Sequence, residues 1–421
     1  MRKLGVVAAI AATLTALGAT SAQAGAQGGA ADPAIAGLDS PDRIAGQYIV
    51  VLDENARVSP AAATAERAFG ATVGNVYRSA IHGYSARMSQ AAAERLAQTP
   101  AVKSVQADTR VTATAQSLPT GINRANADAS PTAAIDGADS RVNADVAVID
   151  TGVDLDHPDL NVYRAGARNC ALLGVSPDDQ NGHGSHVAGT IGALDNTSGV
   201  VGMAPGARIW PVKVLNAAGV GSTSDVICGI DYVTANADQI EVANMSLGGG
   251  GEDDGNCGET NNDAQHQAIC ASVAAGVTYV VAAGNDSADA ANSTPAAYDE
   301  VITVSALADF NGQPGGGAAS TCRSDVDDTF ANFSNYGADV DLIAPGTCIH
   351  STWMNGGYDT ISGTSMASPH VAGGAALYLA NNPGATPAQV QSALESAGSS
   401  DWNATDDPDS TKEPLLDVTG F

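Results

Sequence analysis

The sequence predicts an α/β protein with a mostly parallel sheet flanked by helices, preceded by a small α+β domain of ferredoxin-like order. Three observations carry this. From about Asp145 onward, apolar strand cores alternate with helical stretches, the pattern of strands buried on both faces and connected by crossovers. Between residues 47 and 108 the order is strand, helix, strand, strand, helix, strand, which is the split βαβ arrangement. The length of 421 residues accommodates both units.

Met1-Arg2-Lys3, the apolar run Leu4 to Ala19 and Ala22-Gln23-Ala24 have the three regions of a signal peptide, so export is expected. No other stretch is long and apolar enough to span a membrane. Residues 25–45, rich in Ala, Gly, Pro and Asp without periodicity, are expected to be a linker. Residues 46–114 then form the small domain. Gln47 to Leu52, Ala71 to Tyr77, Gly83 to Met88 and Val102 to Asp108 suit strands; Ala61 to Phe69 suits a helix. A second helix runs from Ser89, its cap, to Gln98. His82 is expected in a turn.

In residues 115–421 the expected strands are Val146 to Ile149, Ile209 to Leu215, Val242 to Leu247, Val277 to Ala283 and Val301 to Val304. Helices fit His183 to Gly192, Asp225 to Ala235, Ala264 to Ala275 and Ser365 to Leu379. Functional groups belong at the carboxyl ends of such strands. The six cysteines, Cys170, Cys228, Cys257, Cys270, Cys322 and Cys348, are even in number and lack zinc-type pairs, so three disulfides are expected in an exported chain. Of fifteen connectivities, the local closures Cys257–Cys270 and Cys322–Cys348 are favoured, leaving Cys170 with Cys228.

Charge is shared unevenly. Residues 25–114 balance eight acids against eight bases, whereas residues 115–421 carry 38 acids against eight bases. That field argues strongly against nucleic acid and an anionic membrane as partners.

The chemistry-bearing residues fall at element boundaries. Asp150 ends the strand Val146 to Ile149; His183 sits in Gly182-His183-Gly184-Ser185-His186, a turn entering a helix; Ser365 opens an apolar helix. An acid, a base and a serine are what acyl transfer needs, because a hydroxyl is a weak nucleophile until a histidine takes its proton and an acid fixes that histidine's tautomer. Asn285, at another strand end, offers an amide donor for an oxyanion. His-x-x-His raises the possibility of metal, but no glutamate joins it; His186 instead is expected to pack or to support His183. His157 and His370 are expected to be structural, His266 and His350 to be surface or loop residues.

With Val-Ile-Asp-Thr-Gly-Val at 148–153, Gly-His-Gly-Ser-His-Val-Ala-Gly-Thr at 182–190 and Gly-Thr-Ser-Met-Ala-Ser-Pro-His-Val-Ala-Gly at 363–373, the chain resembles the subtilisin-like serine proteases, the subtilases. Residues 47–110 look like that family's inhibitory propeptide. The resemblance implies a secreted, monomeric serine endopeptidase, autoprocessed near Thr114–Ala115, acting on protein and peptide substrates and inhibited by its own propeptide. It assigns Asp150, His183 and Ser365 to the catalytic triad and Asn285, with the Ser365 N–H, to the oxyanion hole. Gly219-Val220-Gly221 and Ser246-Leu247-Gly248 resemble the two edges that bind substrate as an added strand. Ala282, Ala283 and Gly284 resemble pocket walls favouring bulky uncharged side chains, with Asp286 a departure toward charge at the rim. A structural calcium is implied, held by side chains of Gln116, Asp159 and Asn196 and carbonyls of Leu194, Ser198 and Val200. No catalytic cofactor is implied. An esterase with the same triad is disfavoured by the missing Gly-x-Ser-x-Gly elbow.

Overall fold

The computed structural model describes residues 35–38, 40, 43–109, 115–171, 176–409 and 411–421. The expected leader, and Thr114 at the expected processing point, lie outside them. The chain divides into two compact units, residues 1–113 and 114–421.

The smaller unit contains β1 (Arg43–Leu52), α1 (Val58–Phe69), β2 (Thr72–Tyr77), β3 (Gly83–Arg87), α2 (Gln90–Ala97) and β4 (Val102–Thr109). Its antiparallel sheet has the order β2-β3-β1-β4. Alternation along β1 buries Tyr48, Val50 and Leu52 against Ala65, Ala93 and Leu96 of the helices. Ser89 caps α2 by accepting from the Ala92 N–H. The linker boundary is corrected: β1 begins at Arg43, and Ile35 belongs to the core of this unit. Ala36 exchanges backbone bonds with Val105 and Ala107, which extends the sheet edge into the supposed linker.

The larger unit contains α3 (Thr120–Arg124), β5 (Asp145–Asp150), β6 (Arg168–Asn169), α4 (His183–Gly192), β7 (Arg208–Lys213), α5 (Thr223–Thr234), β8 (Val242–Met245), β9 (Gly249–Gly250) and α6 (Ala264–Ala274). There follow β10 (Thr278–Ala282), β11 (Ser293–Thr294), β12 (Ile302–Ala308), β13 (Thr329–Phe330), β14 (Leu342–Pro345), β15 (Ile349–Trp353), β16 (Gly357–Ile361), α7 (Thr364–Asn381) and α8 (Pro387–Ala397). The main sheet runs β13-β12-β10-β8-β5-β7-β6, with β14 also on β12. Every pairing in it is parallel except β12 with β13. One apolar layer, including Val146, Val148, Val187 and the buried face of α7, covers one side; Ala147, Ile149, Ile230 and Tyr279 belong to the layer on the other. Helix α7 is buried nearly all round, which its run of Ala and Gly permits.

The disulfides are Cys170–Cys228, Cys257–Cys270 and Cys322–Cys348, as favoured from spacing. His266 is corrected: it lies in the first turn of α6 with no exposed surface, because Tyr298 stacks on its ring at 3.9 Å. The late segment returns to the start of this unit, where Val418 N–H donates to Ala125 O and Thr132 N–H to Phe421 O.

Candidate active site

The carboxyl ends of β5, β8 and β10 and the amino ends of α4 and α7 supply the chemistry-bearing groups. Asp150 is fully buried as the last residue of β5. Its carboxylate accepts from the Thr151 N–H at 2.6 Å and from His183 Nδ1 at 2.8 and 3.0 Å. A carboxylate only accepts, so Nδ1 carries the proton and the Nε2 lone pair is left for chemistry. Burial pushes the His183 pKa down, but the facing Asp150 and then the more distant Asp179 outweigh it, and the net shift is upward. His183 enters its helix through Gly182, whose φ of 108° is a left-handed value and whose missing side chain leaves room for the Trp353 ring.

Asp179 is the hub that fixes this turn. It accepts from Thr151 Oγ1 at 2.9 Å, the N–H groups of Asn181, Gly182 and Ser185, and Ser185 Oγ at 2.7 Å. Lys213, buried at the end of β7, donates to Thr151 O, and burial lowers its pKa against the pull of Asp179 and Asp150. Sequence reading missed both residues. The available signal was an acid four positions before His183, where it caps the turn entering the helix. His186 is neutral, its pKa lowered to about 3 by burial, and donates from Nε2 to Ile349 O at 2.9 Å. It packs in the core, as expected.

Ser365 occupies the first turn of α7. Its hydroxyl donates to Ser246 O at 3.3 Å while Ser246 Oγ donates to Ser365 O at 2.8 Å. Ser246 Oγ also accepts from Asn244 Nδ2 at 2.9 Å, and Asn244 Oδ1 from Ser368 Oγ at 2.7 Å. Among the described residues the Ser365 hydroxyl makes no hydrogen bond to His183. Asn285 Oδ1 accepts from the Thr364 N–H at 2.9 Å and Thr364 Oγ1 at 3.1 Å. This pins the amide and directs its Nδ2 donors elsewhere. The preceding Gly284 has φ 110° and lies against the Asn335 amide, which accepts from the Asp286 and Ala288 N–H groups and donates to Ala283 O.

Two adjoining cavities meet here. One of about 550 Å³ is lined by Thr151, His183, Gly219, Val220, Gly221, Ser246, Leu247 and Gly248. The other, about 440 Å³, is walled by Leu247, Ala282, Ala283, Gly284, Asp286 and Ser365. Both share Leu247 to Gly250 and Thr294. The two expected edge segments thus face one cleft, with Val220 60% exposed at its lip.

The expected cation ligands also converge. Gln116 Nε2 lies 2.7 Å from Leu194 O and 3.2 Å from Val200 O. Asp159, buried, lies 2.7 Å from Asn196 Nδ2 and accepts from the Val200 N–H at 2.9 Å. Two carbonyls, a buried carboxylate and two amides that can turn their oxygens inward fit a hard dication. Ser198 is held beside them by donating its N–H to Asn196 Oδ1 at 2.7 Å.

Residues 143–412 match the model of the Subtilase family, and residues 47–114 that of Peptidase inhibitor I9. An extracellular serine proteinase of Thermus sp. (strain Rt41A) is 38% identical over 387 residues, covering 85% of this chain and 86% of that protein. Subtilisin E of Bacillus subtilis (strain 168) is 38% identical over 319 residues, covering 75% of each. The crystal structure of a cold adapted subtilisin-like serine proteinase is similar with a TM-score of 0.50 and 37% identity, over 65% of this chain and 88% of that one.

Proposed function

Because this chain belongs to the subtilase family of serine peptidases and carries an inhibitor-type propeptide domain, we propose that Asp150, His183 and Ser365 are its catalytic triad and Asn285 its oxyanion donor. The observation that carries the assignment is the His183 Nδ1 to Asp150 bond at 2.8 Å, which commits Nε2 to the nucleophile. Ser365 Oγ attacks the scissile carbonyl carbon and its proton passes to His183 Nε2. The Ser365 N–H, unpaired among the described residues in the first turn of α7, and Asn285 Nδ2 hold the oxyanion. Collapse breaks the C–N bond, and His183 gives its proton to the leaving amine. Water then repeats the sequence on the acyl-enzyme and frees the second product.

The substrate lies between Gly219-Val220-Gly221 and Ser246-Leu247-Gly248 as an added strand, and the residue on the acyl side of the cleaved bond enters the pocket of Ala282, Ala283 and Gly284. Small walls favour bulky uncharged side chains; Asp286 at the rim admits some basic ones. Calcium is held by Gln116, Asp159 and Asn196 with the carbonyls of Leu194, Ser198 and Val200, and its role is structural. The protein is secreted as a monomer after loss of the leader. Its 38 acids against eight bases in residues 115–421 argue against nucleic acid or membrane binding.

Residues 46–114 act as an intramolecular inhibitor until cleavage near Ala115. The test is intact mass and amino-terminal sequencing of the wild-type chain and Ser365→Ala, expressed in parallel with calcium. Loss of everything before about Ala115 in the wild type alone supports the triad and self-cleavage together; equal processing of both overturns self-cleavage. Asn285→Ala is expected to lower kcat about 10²–10³-fold with KM little changed, a magnitude carried over from subtilisin.

A further inference from the structure

The loop between β9 and α6 gathers groups that the peptidase mechanism does not use. His266 Nε2 lies 2.7 Å from Glu300 Oε2. A carboxylate only accepts, so Nε2 carries a proton, and with a single proton on the ring Nδ1 is a lone pair. That nitrogen is buried, has no hydrogen-bond partner, and faces Asp253 Oδ1 at 3.4 Å and Asp254 Oδ1 at 3.8 Å. An imidazole nitrogen and two carboxylate oxygens therefore converge without a hydrogen bond among them, an arrangement that needs a positive charge at its centre, either a proton on Nδ1 or a bound cation.

The spacing suits one. A tetrahedral zinc with ligands at about 2.1 Å has edges of about 3.4 Å. The carboxylates are set before any ion arrives: Asp253 accepts from the Gly255 and Asp299 N–H groups, and Asp254 from those of Asn256, Gly258, Thr260 and Asn261. Tyr298, stacked on the imidazole at an interplanar angle of 5°, fixes the ring plane. Cys257, Cys270 and Glu300 surround the other side of His266, but the two sulfurs are bonded to each other and offer no thiolate. An imidazole with two carboxylates selects a borderline transition-metal dication over calcium.

We propose that Asp253, Asp254 and His266 Nδ1 form a binding site for zinc or a similar dication, with water completing the shell where Asp253 is partly exposed. The site stands three residues beyond Gly250, whose strand pairs with Ser293 and Thr294 and lines the substrate cleft. Metal there braces one wall of the cleft.

The test uses the full chain as Ser365→Ala, kept intact and saturated with calcium. Zinc bound after dialysis is measured, and the visible spectrum of added cobalt(II) is recorded. One additional zinc per chain relative to the same protein carrying Asp253→Asn or His266→Gln is expected, with intense tetrahedral cobalt bands that both substitutions abolish. If His266→Gln fails to fold, Asp253→Asn, at a more exposed position, still decides. Equal zinc uptake in all three proteins, or none in any, overturns the proposal; the latter leaves a proton on Nδ1. Uptake abolished by His183→Ala but not by Asp253→Asn assigns the metal to the peptidase site and also overturns it.

Discussion

The two helix entrances of the active site are braced by different means. Around His183 the supports are charged and buried: Asp150 at the end of β5, Asp179 in the turn before α4 and Lys213 at the end of β7. Around Ser365 they are neutral: Asn244, Ser246, Ser368 and Thr364, linked hydroxyl to amide. The division follows the chemistry. In the proposed roles, the base must gain and lose a proton, so its surroundings set a field; the nucleophile must hold a direction, and a buried charge beside it would disturb the oxyanion that forms there.

Substitutions can break this contrast. The largest effect is expected from Asp150→Asn, which keeps the shape but loses the tautomer and the imidazolium's partner; kcat should fall about 10⁴-fold, a size carried over from subtilisin and its analogues. As the proposed base, His183 must be neutral to act, and its pKa lies above the ordinary histidine value. Activity therefore declines as pH falls through a point above about 6.5, and Asp150→Asn should move that limb downward.

Asp179→Asn sharpens the contrast. It removes a charge that raises the His183 pKa and weakens the turn bonded to it, so kcat should fall about 10–100-fold and the acid limb should shift to lower pH. A pH–rate profile unchanged in position would show that Asp179 acts on geometry alone. Ser368→Ala is the neutral counterpart with the smallest effect. Leaving Asn244 Oδ1 without its donor should cost about 1–3 kcal/mol in urea unfolding and lower kcat less than tenfold, with the acid limb unmoved. A shift of that limb in Ser368→Ala would erase the distinction between the two halves.

What could be read in the sequence was local. Asp150, His183 and Ser365 sit in the short motifs on which their proposed roles rest, and α4 runs over the expected His183 to Gly192. The supports were not legible because each partner is remote: Asn244 meets Ser368 across 124 positions, and Lys213 meets Thr151 across 62. Apolar runs placed the five central strands, yet β14, flanked by loops, passed without notice. So did α8, although Thr386 and Gln389 form a capping box at its start. His266 was misjudged because its helix has apolar residues on no single face; the burial comes from Tyr298, 32 residues downstream and brought over it by the fold.

The return of residues 415–421 to the start of the larger unit sets an order on biosynthesis. Leu416 donates to Ile343 O, Val418 to Ala125 O, and Phe421 O accepts from Thr132 N–H and Ser130 Oγ. Segments made nearly three hundred residues apart complete each other's backbone pairing, so Ala125 O and the Thr132 N–H lack these partners while everything between is translated. These closing contacts of the larger unit form only after residues 415–421 have been made.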